Sequence, residues 1–593
     1  MQKYSVNQHQ ISNILSWVQT GAIAVPEIQR PFVWEKTKIR DLVDSLYNGY
    51  PVGYIIIWQN PSARLRDGRE ALGKKILIDG QQRITSLNAA ILGNPIIDKD
   101  YKEISVRISF NPQTEEFRTR TAVAEPEWIE DIAELMRDDA GYFDVIDNYL
   151  GRNPKADKKK VQNSIQQLVG IRSKQIGLIE LDATLDIETV TEIFIRINSQ
   201  GVPLSQADFV MSKVAAYGDL GVNIRKTIDY FCHLARSPHV YKSIIENDKE
   251  FAATEHMSRI AWLRRERDDI YDPDYKDLVR TVTLNEFERG SIADLVSLLS
   301  GRDFETKTYK HEIAVDSFKR LDKGVSSFVN ETNFKRFAMI MKSAGYIDRE
   351  LMTAQNALNF AYGIFLKLRE MGHKGHTIER YVRRWFVMSM LTARHSGSFE
   401  TTFEADIKRI KSVGIKEHLL GIEEGTMGED FWTFQLVQEL EKSSTRNPFI
   451  NAFFAAQVYN NEKGFLSKDI KVRDMIEQAG DIHHIFPRKY LIKHGFEKNQ
   501  YNQIANYAQA QTEINIAILN KEPKAYMAEV TDQIKSGKLR YGNIDTESTL
   551  KNNLRQNAVP ELIFTATYKD YEDFLEQRRK LMAKKIEKYY KRL

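Results

Sequence analysis

The chain has little cysteine and no long hydrophobic run. Cys232 is the only cysteine among 593 residues, so an internal disulfide is excluded and a reducing compartment is expected. No stretch approaches the roughly 18 consecutive apolar residues of a membrane-spanning helix. The first residues also lack the apolar segment of a signal peptide. We therefore expect a soluble, cytoplasmic protein.

An excess of charge of one sign is also absent. Lys and Arg number 85 and Asp and Glu number 81, for a formal net charge of +4. A chain without an overall basic field can bind nucleic acid only through a local patch. The content of 42% hydrophobic and 28% charged residues is typical of globular proteins. A length of 593 residues predicts about three to four domains.

The first 200 residues alternate between helical and extended patterns. Apolar residues at helical spacing predict helices over residues 11–18 and 36–47. Between them, Val25–Trp34 contains two prolines and is predicted to be extended. Short apolar or alternating runs predict strands at the following positions: Tyr54–Trp58, Lys75–Ile78, Ile104–Phe110 and Ile176–Leu181.

A polar turn joins the second of these strands to a helix. The turn consists of Asp79, Gly80, Gln81, Gln82 and Arg83, and the helix follows from residue 84. Unpaired N–H groups and the positive dipole end make a helix N-terminus suitable for phosphate. Gly80 allows close approach of the backbone, and Arg83 can bind phosphate oxygens. A polar helix cap with a surface arginine is the alternative, and the turn alone does not decide between them.

Residues 206–440 are almost wholly helical in pattern, and Ser205 is predicted to cap the first of these helices. The aromatic and methionine residues of Val382–Leu391 are interpreted as core packing, as is His395. The last helix, Asp570–Leu593, has an apolar stripe interrupted by Arg578. We expect the Arg578 stem to pack and its charged end to reach water.

Two adjacent histidines, His483 and His484, lie in a short apolar run that ends at Pro487. Phosphodiester hydrolysis needs a base for water and a cation for the developing charge. Consecutive side chains of a strand point to opposite faces, so one histidine can bind a metal while the other activates water. Arg488 and Lys489 follow and can contact the DNA phosphates. Two packed histidines at a domain edge are the alternative.

Asn506 and Asn515, further along the chain, favour the catalytic interpretation. Together with the histidine pair they resemble the HNH nuclease motif, which has a ββα-metal fold. The resemblance implies that His483 and Asn515 bind the metal, that His484 is the general base and that Asn506 braces the loop and backs the base. The set lacks carboxylates, so Mg²⁺ and Mn²⁺ both stay open. Asp481 is a candidate for a carboxylate outside the ligand set.

Three stretches near the N-terminus carry a second resemblance. Residues Pro26–Trp34, Asp79–Arg83 and Phe194–Gly201 are similar to the N-terminal half of GmrSD-type, modification-dependent restriction enzymes. That half has a ParB/sulfiredoxin-like fold and is associated with binding and hydrolysis of a nucleoside triphosphate. The resemblance implies a nucleotide site at Arg30 and at the turn Asp79–Arg83. The C-terminal half of this family carries the HNH site, so both halves occur here in the same order.

The predicted fold class is α+β and predominantly helical. We expect a ParB-like sensor domain over residues 1–210, a helical linker domain over 211–440, and an HNH nuclease domain embedded in helices over 441–593. The family resemblance implies a nucleotide-regulated, metal-dependent endonuclease of the bacterial cytoplasm that cuts modified phage DNA. Because one HNH site cuts one strand, a double-strand break requires a homodimer or repeated nicking.

Two other functions remain open at this point. One is a non-catalytic, ParB-like, nucleotide-gated DNA-binding regulator whose HNH site is vestigial. The other is a toxin nuclease that cuts RNA. The sequence does not identify the DNA modification, the nucleotide or the pocket that would read a modified base.

Overall fold

The computed structural model describes most of the chain. The described residues are 3–20, 22–24, 34–58, 75–97, 103–120, 124–136, 142–182, 184–185, 189–190, 193, 205–215, 217–265, 270–443, 447–478 and 482–593. Within these ranges no helix combines the length and the apolar character needed to cross a membrane. Internal contacts divide the chain into two units. The first contains residues 1–265 and 296–318, and the second contains residues 266–295 and 319–593.

The architecture is predominantly helical with small sheets, which is consistent with the predicted α+β class. Helix at most positions between 206 and 440 is confirmed. The ParB-like and ββα-metal assignments and the division at residues 210 and 440 stay predictions. The described strands, numbered along the chain, are β1 Tyr4–Gln10, β2 Ile23–Ala24, β3 Tyr54–Trp58, β4 Lys75–Asp79, β5 Ile96–Ile97, β6 Glu103–Ile104, β7 Ile108–Asn111, β8 Glu116–Thr119, β9 Gln175–Leu181, β10 Ile482–His484 and β11 Tyr507–Gln509.

A five-stranded mixed sheet in the order β1-β9-β3-β4-β2 organises the first unit. β9 is antiparallel to β1 and parallel to β3, whereas β4 is antiparallel to β3 and parallel to β2. Ile55 and Ile57 of β3 point into the larger apolar core, and Ile56 and Trp58 point into a smaller cluster on the other face. This alternation follows from the period of a strand, and it makes both faces of β3 buried.

Helices surround this sheet and build the rest of the described chain. The α-helices are Ile11–Gln19, Lys36–Tyr47, Gln81–Leu92, Ala133–Met136, Tyr142–Arg152, Lys158–Val169, Gln206–Ala215, Gly218–Arg236, Tyr241–Asn247, Lys249–Ala252, Glu255–Ile260, Tyr275–Phe287, Ile292–Leu299, His311–Val329, Glu331–Ser343, Gln355–Glu370, Gly375–Leu391, Phe399–Val413, Ile415–Thr426, Leu436–Glu439, Pro448–Tyr459, Val472–Glu477, Arg488–Lys493, Lys498–Tyr501, Thr512–Ile518, Pro523–Ser536, Glu547–Gln556 and Tyr571–Tyr590.

Most predicted elements of the first unit that are described are confirmed. The second helix begins and ends at the predicted residues, and Ser205 accepts a hydrogen bond from the backbone of Asp208 as its capping role requires. The single strand predicted over Ile104–Phe110 is wrong. β6 pairs with β5 and β7 pairs with β8, so the chain changes partner between residues 104 and 108. Most of Val25–Trp34 and all of Phe194–Gly201 lie outside the described residues.

The helical part of the second unit contains a buried ionic cluster around Asp406. The carboxylate of Asp406 is fully buried and accepts two hydrogen bonds from Arg394 and one each from His395 and His418. His395 also packs against the rings of Phe360 and Phe403, so its interpretation as a core residue is confirmed. Burial acts to raise the pKa of Asp406, but the hydrogen bonds from its partners outweigh burial and hold the pKa below its usual value.

Asp406→Asn is expected to lower the free energy of unfolding at pH 7 by about 3–5 kcal/mol, because it leaves the Arg394 guanidinium without its counter-ion. A carboxyl with a lowered pKa contributes its full stabilisation above about pH 4 and loses it as the pH falls further. The difference in the free energy of unfolding between the wild type and the variant should therefore become smaller as the pH falls from 7 to 3. Urea unfolding followed by tryptophan fluorescence measures it, with the exposed Glu417→Gln as the control, and a deficit independent of pH would contradict the account.

Candidate functional site

The histidine pair lies on β10, which pairs antiparallel with β11. His483 is opposite Ala508 and His484 is opposite Tyr507. The helix Thr512–Ile518 follows β11 and carries Asn515. Two short helices, Arg488–Lys493 and Lys498–Tyr501, separate β10 from β11 along the chain, and the fold brings Asn515 back to β10.

His483 and Asn515 meet directly. Nδ1 of His483 lies 2.8 Å from Oδ1 of Asn515. His483 is only 3% exposed, and its ring stacks on Phe465 with centroids 6.1 Å apart. Burial lowers the pKa of His483 to about 4, so the ring is neutral at physiological pH. An amide oxygen only accepts, so in this contact Nδ1 carries the proton and donates it to Asn515. A metal bound at Nδ1 would require this proton to move to Nε2.

His484 faces a different partner, as the alternation of a strand predicts. Its Nε2 lies 3.0 Å from Oδ1 of Asn502. An amide oxygen only accepts, so Nε2 carries the proton and Nδ1 is left as the basic nitrogen. Burial and then the Arg488 cation lower the pKa of His484, while the hydrogen bond to Asn502 acts in the opposite direction. The ring is therefore predominantly neutral at neutral pH and suited to accept a proton.

Asn506 is fully buried and holds the loop after β10. Its Oδ1 accepts from the backbone N–H of Phe486 at 2.8 Å, and its Nδ2 donates to the carbonyl oxygens of Phe486 and Tyr501, both at 3.1 Å. These contacts are those of a brace. The carboxamide that reaches His484 belongs to Asn502, which no sequence pattern singles out.

The last helix, Tyr571–Tyr590, contacts the segment around Asn506 through two side chains. Arg578 is fully buried and donates to the carbonyl oxygen of Ala505 at 2.7 Å and to that of Asn557 at 3.2 Å. The expectation that its charged end reaches water is wrong, because two backbone carbonyls replace the water. Burial lowers the pKa of Arg578 to about 9, so it stays charged at neutral pH. The Tyr571 hydroxyl donates to the carbonyl of Gln500 at 3.0 Å.

Arg488 and Lys489 begin the helix Arg488–Lys493 and are both exposed. Neither forms an ion pair with a carboxylate in the part of the chain that is described. The Arg488 guanidinium lies 5.5 Å from the centroid of the Tyr501 ring, next to the histidine pair. Within the described chain, no carboxylate neutralises these two cations at the edge of the site. Cations of this kind can bind the phosphates of a DNA backbone.

The separation of these two atoms suits a hydrogen bond and equally suits two ligands of one divalent cation. Two donors at about 2.1 Å from one ion and at a right angle to each other lie about 3 Å apart, close to the 2.8 Å between Nδ1 and Oδ1. Among the described residues, no group of three or more His, Cys, Asp or Glu side chains is arranged to hold a metal. Nε2 of His483 is buried without a hydrogen-bond partner among them. Asp481 lies outside the described residues.

The predicted nucleotide turn Asp79–Arg83 lies at the end of β4 in the five-stranded sheet. Gly80 adopts a φ of 96° and directly precedes the helix Gln81–Leu92. This helix begins at Gln81, three residues before the predicted start at residue 84. A Cβ atom at Gly80 would lie 3.1 Å from the Ile55 side chain, so glycine allows the helix to approach β3 closely. Arg30 lies outside the described residues.

Arg83 is held in place by two partners. Its Nη2 lies 2.9 Å from Oδ2 of Asp79, and its Nη1 donates to the carbonyl oxygen of Tyr54. Asp79, Arg83 and Tyr54 line a cleft of about 550 Å³ together with Lys38 and Trp34. Arg83 therefore links the turn to the start of β3.

Comparison with known proteins bears on the first unit most directly. Residues 11–215 match the family model for the N-terminal domain of the GmrSD restriction endonuclease. The match supports a relationship to this type of restriction endonuclease and suggests a nuclease that acts on DNA. An uncharacterised protein of Methanocaldococcus jannaschii is 21% identical over 645 aligned positions, which cover 98% of this chain and 98% of the relative. The histidine pair lies outside the matched family range, so its assignment depends on its own geometry.

Asn506→Ala is expected to lower the free energy of unfolding of the second unit by about 2–4 kcal/mol, because it removes the side-chain partner of the buried N–H and C=O of Phe486 and one of two donors to the Tyr501 carbonyl. Urea unfolding followed by intrinsic fluorescence measures the change. The matched control is the exposed Asn499→Ala, which should change stability by less than about 0.5 kcal/mol. Equal stability of the two variants would contradict the bracing role.

Proposed function

We propose that this protein is a nucleotide-regulated, metal-dependent endonuclease that cuts modified foreign DNA. The single observation that carries the nuclease assignment is the 2.8 Å contact between His483 and Asn515, next to the base His484. The strand β10 supplies both histidines, and the helix Thr512–Ile518 supplies Asn515. The matched family range supports the restriction part of the proposal.

In the proposed reaction His484 takes the proton of the attacking water at Nδ1. Asn502 holds the ring through Nε2 so that the basic nitrogen stays available. His483 and Asn515 would hold the divalent cation, either Mg²⁺ or Mn²⁺, which when bound supplies charge stabilisation to the phosphate and the leaving oxygen. Arg488 and Lys489 bind the neighbouring phosphates and align the DNA backbone.

The nucleotide is proposed to act at the first unit. The cleft lined by Asp79 and Arg83 contains both signs of charge and lies at the start of a helix, a combination that suits a nucleoside triphosphate. Binding there would favour one of two arrangements of the protein, and cleavage is proposed to occur in one of them. Hydrolysis of the nucleotide would then reset the enzyme.

Cleavage is expected to require a modified substrate. We expect DNA with glucosylated or hydroxymethylated cytosine, or with a phosphorothioate backbone, to be cut in the presence of Mg²⁺ or Mn²⁺ and a nucleoside triphosphate. Unmodified DNA of the same sequence should be cut at least tenfold more slowly. Supercoiled plasmid distinguishes nicks from double-strand breaks, and a labelled RNA tests the toxin alternative. Equal cutting of modified and unmodified DNA would contradict modification dependence.

His484→Ala is expected to lower the cleavage rate about 10²–10⁴-fold, the usual contribution of a general base, while leaving DNA binding unchanged. The control is His376→Ala, which removes an exposed histidine of the helix Gly375–Leu391. Asn515→Ala should raise the metal concentration needed for half-maximal cleavage, whereas Asn515→Asp should lower it because a carboxylate binds hard cations better. A normal cleavage rate in His484→Ala would contradict the role of His484 as the general base. Loss of cleavage with intact biological activity in this variant would favour the regulator.

A further inference from the structure

Tyr54 is a large aromatic side chain that stays 54% exposed at the start of β3. Its partner across the sheet is Gly177 of β9, directly opposite in a parallel pair. A Cβ atom at Gly177 would lie 2.5 Å from Cδ1 and 2.6 Å from Cε1 of Tyr54. The Tyr54 ring therefore occupies the space in which any other side chain at position 177 would stand.

Glycine within a strand weakens it, because glycine loses more backbone entropy on folding and provides no side chain for packing. A neighbouring ring that covers the glycine offsets part of this cost. That benefit explains the position of the ring but does not explain why half of a tyrosine remains open to solvent. The ring is fixed on one side by β9, so it is a preformed aromatic surface.

Tyr54 also lines the cleft that contains Asp79 and Arg83 of the predicted nucleotide turn. Ile56 and Ile179, which face each other across β3 and β9, contribute an apolar floor to the same cleft. Asp79 is opposite Ile56 on β4 and contributes the carboxylate that pairs with Arg83. The aromatic ring, the apolar floor and the charged groups therefore line one cavity.

Arg83 contacts both the Asp79 carboxylate and the residue that carries the aromatic ring, Tyr54. Its Nη1 donates to the backbone carbonyl of Tyr54, so the same residue that presents the ring also orients the guanidinium. Lys38 adds a second cation to the lining, and Asp41 adds a second carboxylate. A planar apolar surface beside two cations matches a molecule with an aromatic base at one end and phosphates at the other. The cleft volume of about 550 Å³ lies in the range of small-molecule sites.

We propose that Tyr54 is the platform on which the base of a bound nucleoside triphosphate stacks, and that Gly177 sets the orientation of its ring. The inference rests on the proposed nucleotide function of the same cleft and extends it by assigning the base end of the ligand. Stacking on a ring tolerates different bases because every base has an aromatic face. Tyr54 thus contributes affinity for the base, and Arg83 and Lys38 contribute affinity for the phosphates.

The test compares nucleotides with a ligand that has no base. Affinities of the full chain for ATP, GTP and inorganic tripolyphosphate are measured by titration calorimetry. Tyr54→Ala should weaken both nucleotides about tenfold and leave tripolyphosphate unchanged. Tyr54→Phe should bind all three ligands like the wild type, because it keeps the ring. The control is Tyr50→Ala, which removes a tyrosine that is 62% exposed and does not line the cleft.

Gly177→Ala provides an independent variant that leaves Tyr54 in place. Its added methyl group must displace the ring, so it should also weaken nucleotide binding and spare tripolyphosphate. In a Tyr54→Ala background the same change should have no further effect, because the ring that it displaces is gone.

The outcomes separate the platform from the nucleotide site. Unchanged nucleotide affinity in Tyr54→Ala, or equal weakening of nucleotides and tripolyphosphate, would overturn the platform alone. Failure of the wild type to bind any of the three ligands would overturn the nucleotide function and the platform together. Additive effects of Gly177→Ala and Tyr54→Ala would overturn the role assigned to Gly177.

Discussion

The chemistry proposed for the second unit depends on one short contact, between Nδ1 of His483 and Oδ1 of Asn515. The two residues are far apart in the chain, and three features bring them together. β10 pairs with β11, the carboxamide of Asn506 fastens the loop that leaves β10, and the helix after β11 carries Asn515. Loss of any one of these features would leave a buried polar group without a partner, so the arrangement is strongly determined.

The proposed metal site combines a buried neutral histidine and a half-buried carboxamide with exposed cations. Burial keeps His483 neutral, which metal binding requires, but the pair offers no negative charge to attract a hard cation. The phosphates of DNA carry that charge, and Arg488 and Lys489 stand exposed at the edge to receive them. Tight metal binding would then depend on bound DNA, which limits hydrolysis to the enzyme–substrate complex.

Sequence patterns were sufficient where a local rule decides the structure. The apolar spacing of residues 36–47 fixes a helix, and alternation along β10 separates the directions of His483 and His484. Sequence patterns failed where a residue distant in the chain determines the contacts of a side chain. Arg578 falls on an apolar stripe, and only the fold reveals the carbonyl of Ala505 that satisfies its charged end. Asn502 is one polar residue among several, and its contact with His484 depends on the path of the loop.

The central claim is that His483 and Asn515 hold one divalent cation beside His484. Crystals grown with Mn²⁺ at a concentration that supports cleavage test it through the anomalous scattering of manganese. The account predicts an anomalous peak within about 2.5 Å of both Nδ1 of His483 and Oδ1 of Asn515. Active protein whose crystals contain no peak between these two atoms, or a peak bound elsewhere, would contradict it.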